Sequence, residues 1–161
     1  MVNSKIHDDF NICEDLLKDI DQLQTEPCRL LFDWWTRHSK DDIPSWENFD
    51  IIDFLTLTPK ISLMIRQSAD EFAYVIQGED VLDIFDRQYW LRRSVKRDRG
   101  SPYDISLFNY FETICDERAP RCCRGKMDIV NRGYITMESI DLPFKDKAGN
   151  TTVLLSILSE I

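Results

Sequence analysis

The chain has 161 residues, of which 43% are hydrophobic and 30% are charged. This length and composition fit one globular domain and exclude a disordered or collagen-like chain. The formal net charge of −9 disfavours general attraction to nucleic acids and anionic membranes, because the field of the whole molecule repels phosphate groups. We therefore expect neither a nucleic-acid partner nor a membrane partner.

The cysteine content and the first residues bear on location. The chain has five cysteines, an odd number that fits a reducing compartment better than a disulfide framework. The first residues lack the apolar stretch of a secretory signal, and no segment approaches the apolar length that spans a bilayer. The sequence therefore predicts a cytoplasmic protein.

The first segment predicts an amphipathic helix over about residues 8–24. Apolar residues recur there at three- and four-residue spacing, which places them on one helical face. Such a stripe must be covered by the rest of the domain or by a partner. We expect residues 1–24 to serve in dimerisation or docking, with a partner-binding stripe formed by Phe10, Cys13, Leu17 and Ile20.

Two further helices are predicted before the first strands. Thr25 is a plausible N-cap and Pro27 fits the first turn of a helix that runs to about His38. A third helix is predicted over 47–57. After Pro59 the period changes to two, which predicts strands over 61–66 and 72–78 joined as an antiparallel hairpin.

The second half predicts one longer helix followed by three strands. Ser101, Pro102 and Asp104 form a capping-box helix start, and this helix is expected to continue to about Glu117. The strands are predicted over 121–130, 134–144 and 151–159. The apolar parity slips within the second strand between Met137 and Ile140, which favours a bulge there, and the last strand is apolar on both sides, as expected of a strand covered twice.

This order of elements is not the alternation of a parallel α/β fold. It predicts an α+β fold, in which a five-stranded antiparallel sheet carries helices on one face and is preceded by an N-terminal helical extension. We expect two parts, the extension at 1–24 and a folded domain at 25–161.

A basic segment lies between the predicted hairpin and the longer helix. Residues 87–99 contain six arginines and lysines against a single aspartate. A solvated basic loop is the favoured interpretation, and a docking patch for an acidic partner or for phosphate groups is the alternative. In the second case Arg92 and Arg93 are candidate partner-binding residues.

Several short motifs resemble those of PAS domains. They are the Trp- and Arg-bearing segment 31–37, the Pro-containing turn 43–46, the acidic-Phe strand 71–78 that ends in glycine, and the apolar strands 140–144 and 153–158 around a polar turn. The resemblance covers about 28–160. More narrowly, the chain resembles a family of stand-alone PAS-like proteins common in alphaproteobacteria.

The resemblance implies a sensory or regulatory domain in bacterial signal transduction that acts by partner binding or homodimerisation. It also implies a cup between the inner face of the sheet and the helix before the third strand, which could hold a small apolar or aromatic ligand. Apolar walls with a few orienting polar groups are typical of such pockets. The candidate ligand-binding residues are Phe72, Tyr74, Ile76, Tyr103, Phe108, Phe111, Arg124, Met127, Met137 and Val153.

No cofactor is predicted. The flavin-binding Asn-Cys-Arg-Phe-Leu-Gln type of motif is missing, and the helix at 101–117 has no histidine, so flavin and His-ligated haem are disfavoured, while a cysteine axial ligand stays open. Cys122 and Cys123 are expected to be small core residues and not metal ligands. His7 and His38 lie upstream of the expected core.

The sequence offers no catalytic residues. It contains no Ser-His-Asp order, no glycine-rich phosphate loop and no His-rich metal motif. We expect a protein that is not an enzyme. Two functions remain open: a regulatory domain that acts through partners or dimerisation, and a dedicated small-molecule sensor with an apolar pocket.

Overall fold

A computed structural model describes residues 12–85, 87–91 and 93–161, without the side chains of Tyr89 and Ile129. The fold is α+β and is built on one seven-stranded sheet in the order β1-β5-β6-β7-β2-β3-β4. Every pair of neighbouring strands is antiparallel. The strands are β1 Ile12–Leu16, β2 Ile61–Ser68, β3 Glu71–Gln77, β4 Ser94–Lys96, β5 Arg121–Met127, β6 Arg132–Lys145 and β7 Thr151–Glu160.

Helical segments connect these strands. The α-helices are α1 Glu26–Arg37, α2 Glu79–Ile84, α3 Arg87–Trp90 and α4 Pro102–Glu117. Short 3-10 segments span Ile20–Gln22, Trp46–Asn48, Ile51–Lys60 and Asp128–Val130. The predicted start of α4 is confirmed, because Ser101 and Asp104 form the reciprocal capping box, and the helix predicted over 47–57 is 3-10 in character.

The predicted N-terminal helix is wrong over the described residues. Residues 12–16 form β1, an edge strand that pairs with β5 from Ile12 opposite Gly125 to Leu16 opposite Arg121. Pairing with β5 along five residues gives alternate backbone groups of β1 hydrogen-bond partners and overrides the helical period of the apolar side chains. Residues 8–11 lie outside the described part of the chain.

The three described residues of the predicted partner-binding stripe do not share one surface. Leu17 is buried in the core of this chain, Cys13 is exposed on β1, and Ile20 is about one-third exposed in a 3-10 turn. A strand sends successive side chains to opposite faces, so residues spaced for a helix no longer share one surface. Phe10, the fourth member, lies outside the described residues.

The sheet has seven strands and not the predicted five. The five predicted strands are present as β2, β3, β5, β6 and β7, while β1 and β4 extend the two edges. β4 has three residues and pairs only with 71–73 of β3. A strand this short carries too little alternation to be recognised in a sequence.

Helices cover both faces of the sheet, which corrects the prediction of helices on one face. One core cluster joins α1 and the 3-10 segments at 46–48 and 51–60 to one face, and a second joins α2, α3 and α4 to the other. On β7, Val153 and Leu155 face α1, whereas Leu154 faces α4. The prediction that the last strand is covered twice is thus confirmed.

The predicted bulge in β6 is absent. The register between β6 and β7 runs unbroken from Met137 to Phe144. Apolar residues of both parities occur because both faces are buried: Ile140 and Leu142 belong to the α1 cluster, and Met137 lies on the α4 side. The change of apolar parity in the sequence therefore arises because both faces of β6 are covered, and not because the backbone is irregular.

Aromatic packing between α1 and β6 gives a test of the fold. Phe144 is fully buried, and its ring centroid lies 5.4 Å from that of Trp46 and 6.0 Å from those of Trp34 and Phe49. We expect Phe144→Ala to lower the free energy of unfolding by about 3–5 kcal/mol, because it leaves a cavity among these rings. Urea unfolding followed by circular dichroism measures the loss.

Tyr134→Ala is the matched control, because Tyr134 lies on the same strand and is 82% exposed. We expect a change within about 0.5 kcal/mol for this variant. Equal losses for Phe144→Ala and Tyr134→Ala would contradict the packing described for the α1 side of the sheet.

Candidate ligand-binding cavity

A cavity of about 110 Å³ lies between α4 and the sheet. The rings of Tyr74, Trp90, Tyr103, Tyr110 and Phe111 line it, together with methionines of β2, β5 and β6. Its volume is somewhat below the roughly 150 Å³ of an engineered cavity that binds benzene. The space therefore fits a molecule of a few heavy atoms, or a cluster of water molecules.

The structure brings six of the ten predicted ligand-binding residues to this cavity. They are Tyr74, Tyr103, Phe111, Arg124, Met127 and Met137. Their positions agree with the expected cup, in which the helix before the strand at 121–127 faces the sheet. Whether they bind a ligand stays a prediction.

The other four predicted residues lie elsewhere. Phe72 and Phe108 are fully buried beside the cavity and pack edge to face on each other, with ring centroids 5.4 Å apart. Ile76 is about one-third exposed. Val153 belongs to the α1 cluster, so it faces away from the cavity, because adjacent residues of a doubly covered strand point to opposite cores.

A row of polar residues crosses the cavity floor, and the sequence reasoning missed it. Gln77 of β3 pairs with Ser62 of β2, Ser62 pairs with Ser156 of β7, and Ser156 pairs with Asp141 of β6. All four residues line the cavity. They come from distant parts of the chain, so only the strand register places them on one line. The single signal in the sequence is a polar residue within each apolar strand.

Asp141 is the ionisable residue of this row. Its carboxylate accepts a hydrogen bond from the Tyr110 hydroxyl at 2.5 Å and another from the Ser156 side chain. Burial raises the pKa of Asp141 to about 6 against these two hydrogen bonds, and the negative charge of Glu14 adds to the rise. At neutral pH the cavity floor therefore carries a mostly ionised carboxylate.

Hydroxyl and thiol groups surround this carboxyl in their neutral forms. The Cys123 thiol donates to the Tyr110 hydroxyl at 3.3 Å. Burial raises the pKa of Tyr74, Tyr103, Tyr110 and Cys123 well above the ordinary values. These groups offer hydrogen bonds without charge.

The Ser62 hydroxyl is buried and lines the cavity, and it has no hydrogen-bond partner among the described residues. An unmet buried hydroxyl costs free energy. Its position toward the cavity means that a molecule in the cavity could supply the missing hydrogen bond.

Arg124 lines the cavity but is engaged elsewhere. Its Nε donates to Glu138 Oε2 at 2.9 Å, and Glu138 also accepts from the backbone N–H groups of Gln24 and Thr25, each at 2.8 Å. Burial alone would raise the pKa of Glu138, but the hydrogen bonds from Gln24, Thr25 and Arg124 outweigh it, and the pKa is lowered. Arg124 therefore helps to anchor the start of α1.

Arg93 and Arg97 of the basic segment form ion pairs within the chain. Arg93 is largely buried, forms an ion pair with Asp104, and places its guanidinium 4.8 Å from the Trp90 ring centroid. Arg97 donates to Glu112 Oε2 at 2.5 Å and to Asp70 Oδ1 at 2.8 Å. The charge of Arg93 is thus held in a contact with α4. Partner binding by Arg93 stays a prediction, and Arg92 lies outside the described residues.

Candidate metal and haem ligands do not converge within the described ranges. Cys122 belongs to the α1 cluster and Cys123 to the α4 cluster, as expected for neighbouring strand residues. His38 stacks on Trp34 at the end of α1, with ring centroids 4.0 Å apart. No group of three or more potential metal ligands occurs among residues 12–85, 87–91 and 93–161.

Comparisons with known proteins found a distant structural similarity. No protein-family model and no curated protein matches the chain. The chain is similar to the solved structure of an RNA-binding light-oxygen-voltage receptor, with 13% sequence identity and a TM-score of 0.47. The match covers 93% of this chain and 38% of the receptor chain. A likeness this distant transfers neither a ligand nor an activity.

What the chain itself defines is an α+β domain with an antiparallel sheet buried on both faces and a cavity under α4. None of the helices in its described part is long and apolar enough to cross a membrane.

Because Glu138 holds the start of α1 through its hydrogen bonds, we expect the protein to lose stability when this carboxylate is neutralised. We expect Glu138→Gln to lower the free energy of unfolding by about 1.5–3 kcal/mol, because the amide group cannot accept all the hydrogen bonds that the carboxylate accepts. The folded pKa lies below the ordinary 4.5, so this contribution is present above 4.5 and is lost as the pH falls through the folded pKa.

Urea unfolding as a function of pH checks both parts of the Glu138 prediction. Glu160→Gln is the control, because Glu160 is exposed at the end of β7. If Glu138→Gln cost no more than Glu160→Gln, the proposed anchor would be refuted.

We expect the contribution of Asp141 to stability to depend on pH in the opposite direction to that of Glu138. Because its folded pKa is raised from 3.8 to about 6, the folded state binds the proton more tightly, and stability is lost as the pH rises through this range. Charged or titratable groups around it are Glu14 of β1, Tyr110 of α4 and Cys123 of β5.

The side chain of the Asp141→Asn variant cannot ionise, so this variant does not lose stability as the pH rises. The free energy of unfolding of the variant minus that of the wild type should therefore increase by on the order of 3 kcal/mol between about pH 4 and about pH 8. Denaturant unfolding of both proteins at several pH values measures this difference. A difference that does not change with pH would show that Asp141 is not the buried ionising group.

Proposed function

We propose that this chain is a PAS-like sensory domain that binds a small molecule in the cavity between α4 and the sheet. The order of the core elements supports the proposal: two strands β2 and β3, then helices, then the three strands β5, β6 and β7. The helix before the first of these three strands is α4, and it lies over the cavity. This is the arrangement that the sequence resemblance implied for a ligand-holding cup.

The observation that carries the proposal is the polar row on the cavity floor. Ser62 leaves a buried hydroxyl without a partner among the described residues, and Asp141 is a buried carboxyl whose ionisation opposes folding. Apolar residues at both positions would give a more stable domain. Destabilising polar groups that converge on one cavity are typical of a binding site.

The response to such a ligand would pass to another protein. We infer that the domain belongs to bacterial signal transduction and acts by partner binding or homodimerisation, as the resemblance implied. The cavity favours a dedicated small-molecule sensor over a domain that acts through its surface alone.

Filling the cavity tests this function. We expect Ser62→Leu to keep the fold, because it fills empty volume and removes an unpartnered hydroxyl. It should abolish ligand binding. Native mass spectrometry of the purified protein, together with thermal shifts across a panel of metabolites, measures binding in both proteins.

Ser68→Leu is the matched control, since Ser68 lies on the same strand β2 and is exposed at its end. It should bind as the wild type does. The proposal fails if the wild type carries no bound compound and shows no thermal shift with any member of the panel.

A further inference from the structure

We propose that the cavity binds a compact organic cation with N–H donors, and that Asp141 is its counter-ion. The inference rests on the proposed function and specifies the ligand class for the same cavity. It follows from the charge of the cavity floor, from the unmet hydrogen-bonding group beside it and from the aromatic walls.

The first observation is an uncompensated charge. Asp141 is 4% exposed and forms no ion pair with another described residue. The nearest basic group along the row is Arg121 of β5, the register partner of Asp141. Arg121 is engaged with Glu14 at 2.7 Å and with Glu117 at 2.9 Å. A buried carboxylate without a cation is costly, and a cationic ligand would remove this cost.

The second observation is the spacing of the hydrogen-bonding groups. Ser62 and Asp141 lie two strands apart, with Ser156 between them. Neighbouring strands are about 4.8 Å apart, so a molecule of a few heavy atoms over Ser156 reaches both ends. An ammonium or amidinium group can donate to Asp141 and to a serine hydroxyl at the same time, because it carries more than one N–H.

The third observation is the aromatic wall. The rings of Tyr74, Trp90, Tyr103 and Phe111 are among those that line the same cavity. The faces of aromatic rings attract cations, and the attraction is strongest where water is displaced. A carboxylate ligand would meet the negative charge of Asp141, whereas the guanidinium groups of Arg93 and Arg124 are already paired with Asp104 and Glu138. The cavity therefore selects against anions.

The volume of the cavity limits the class of ligand further. A volume of about 110 Å³ is smaller than that of the cavity known to hold benzene. A ligand that the cavity encloses fully is therefore smaller than a nucleotide, a flavin or haem. Small alkylamines and small heterocyclic cations remain.

Three probes of similar size and different charge test the charge requirement: isobutylamine, isobutanol and isobutyrate. Isothermal titration calorimetry at about pH 8 compares them, since the amine is protonated and Asp141 is ionised there. We expect the wild type to bind isobutylammonium, to bind isobutanol at least about tenfold more weakly, and not to bind isobutyrate. A tenfold difference in affinity is expected because isobutanol lacks the charge that would pair with the buried carboxylate.

Two variants locate the interaction. Asp141→Asn should weaken isobutylammonium at least about tenfold and leave isobutanol unchanged, because only the charged contact is lost. Ser62→Ala keeps Asp141 and should weaken the amine by less than about threefold, because an ammonium group at Asp141 lies two strands away from Ser62. Asp53→Asn is the control, an exposed carboxyl outside the cavity, and should bind as the wild type does.

The outcomes separate the ligand class from the proposed function. If isobutanol or isobutyrate binds as tightly as the amine, or if Asp141→Asn leaves amine binding unchanged, the cationic ligand is refuted while a ligand-binding cavity stands. If no probe binds, the compact cation is also refuted. In that case a bound neutral or anionic compound in native mass spectrometry would still support the sensory function. A cavity filled by water alone would refute both the cationic ligand and the sensory function.

Discussion

Burial of the central strands on both faces is the constraint on which this structure depends. β6 and β7 are flanked by strands on both sides, and their side chains alternate between two separate cores. Neither core can form without its own helical layer, because each face would otherwise expose a broad apolar surface. On one side α1 docks on β6, where the Trp35 indole donates to the Pro143 carbonyl at 2.9 Å. On the other side α4 covers the sheet.

Ion pairs fix α4 over the sheet without closing the space beneath it. Glu112 of α4 accepts from Arg66 of β2 at 2.6 Å and from Arg97, which follows β4, at 2.5 Å. Asp104, in the first turn of α4, pairs with Arg93. The helix is thus held at both ends of its sheet-facing side by charges that lie outside the cavity. A cavity can then persist under α4 without the helix settling onto the strands.

Two buried carboxyls three residues apart on β6 show how local surroundings set ionisation. Glu138 faces α1, where two backbone N–H groups and the Arg124 guanidinium converge on it, and its pKa is lowered. Asp141 faces the cavity, where burial dominates over two neutral donors, and its pKa is raised to about 6. Glu138 therefore stabilises the fold as a satisfied anion, while Asp141 holds a charge that the domain itself does not neutralise.

Local patterns in the sequence determined the elements that depend on local physics. The period of two located β2 and β3, apolar segments separated by polar turns located β5, β6 and β7, and the reciprocal cap at Ser101 and Asp104 located the start of α4. The apolar character of both faces of β7 correctly implied two covering layers. Six of the residues that line the cavity were also predicted, because the resemblance to PAS domains implied a cup between the sheet and the helix that is α4.

Only the tertiary structure decided the features that depend on contacts between distant residues. β1 is a strand because the edge of β5 offers it backbone partners, although its side chains repeat like those of a helix. Three arginines of the basic segment, Arg87, Arg93 and Arg97, meet carboxylates of α2, α4 and the β2–β3 turn. The row from Gln77 to Asp141 exists only through strand register, since a shift by one residue would turn each side chain to the opposite face.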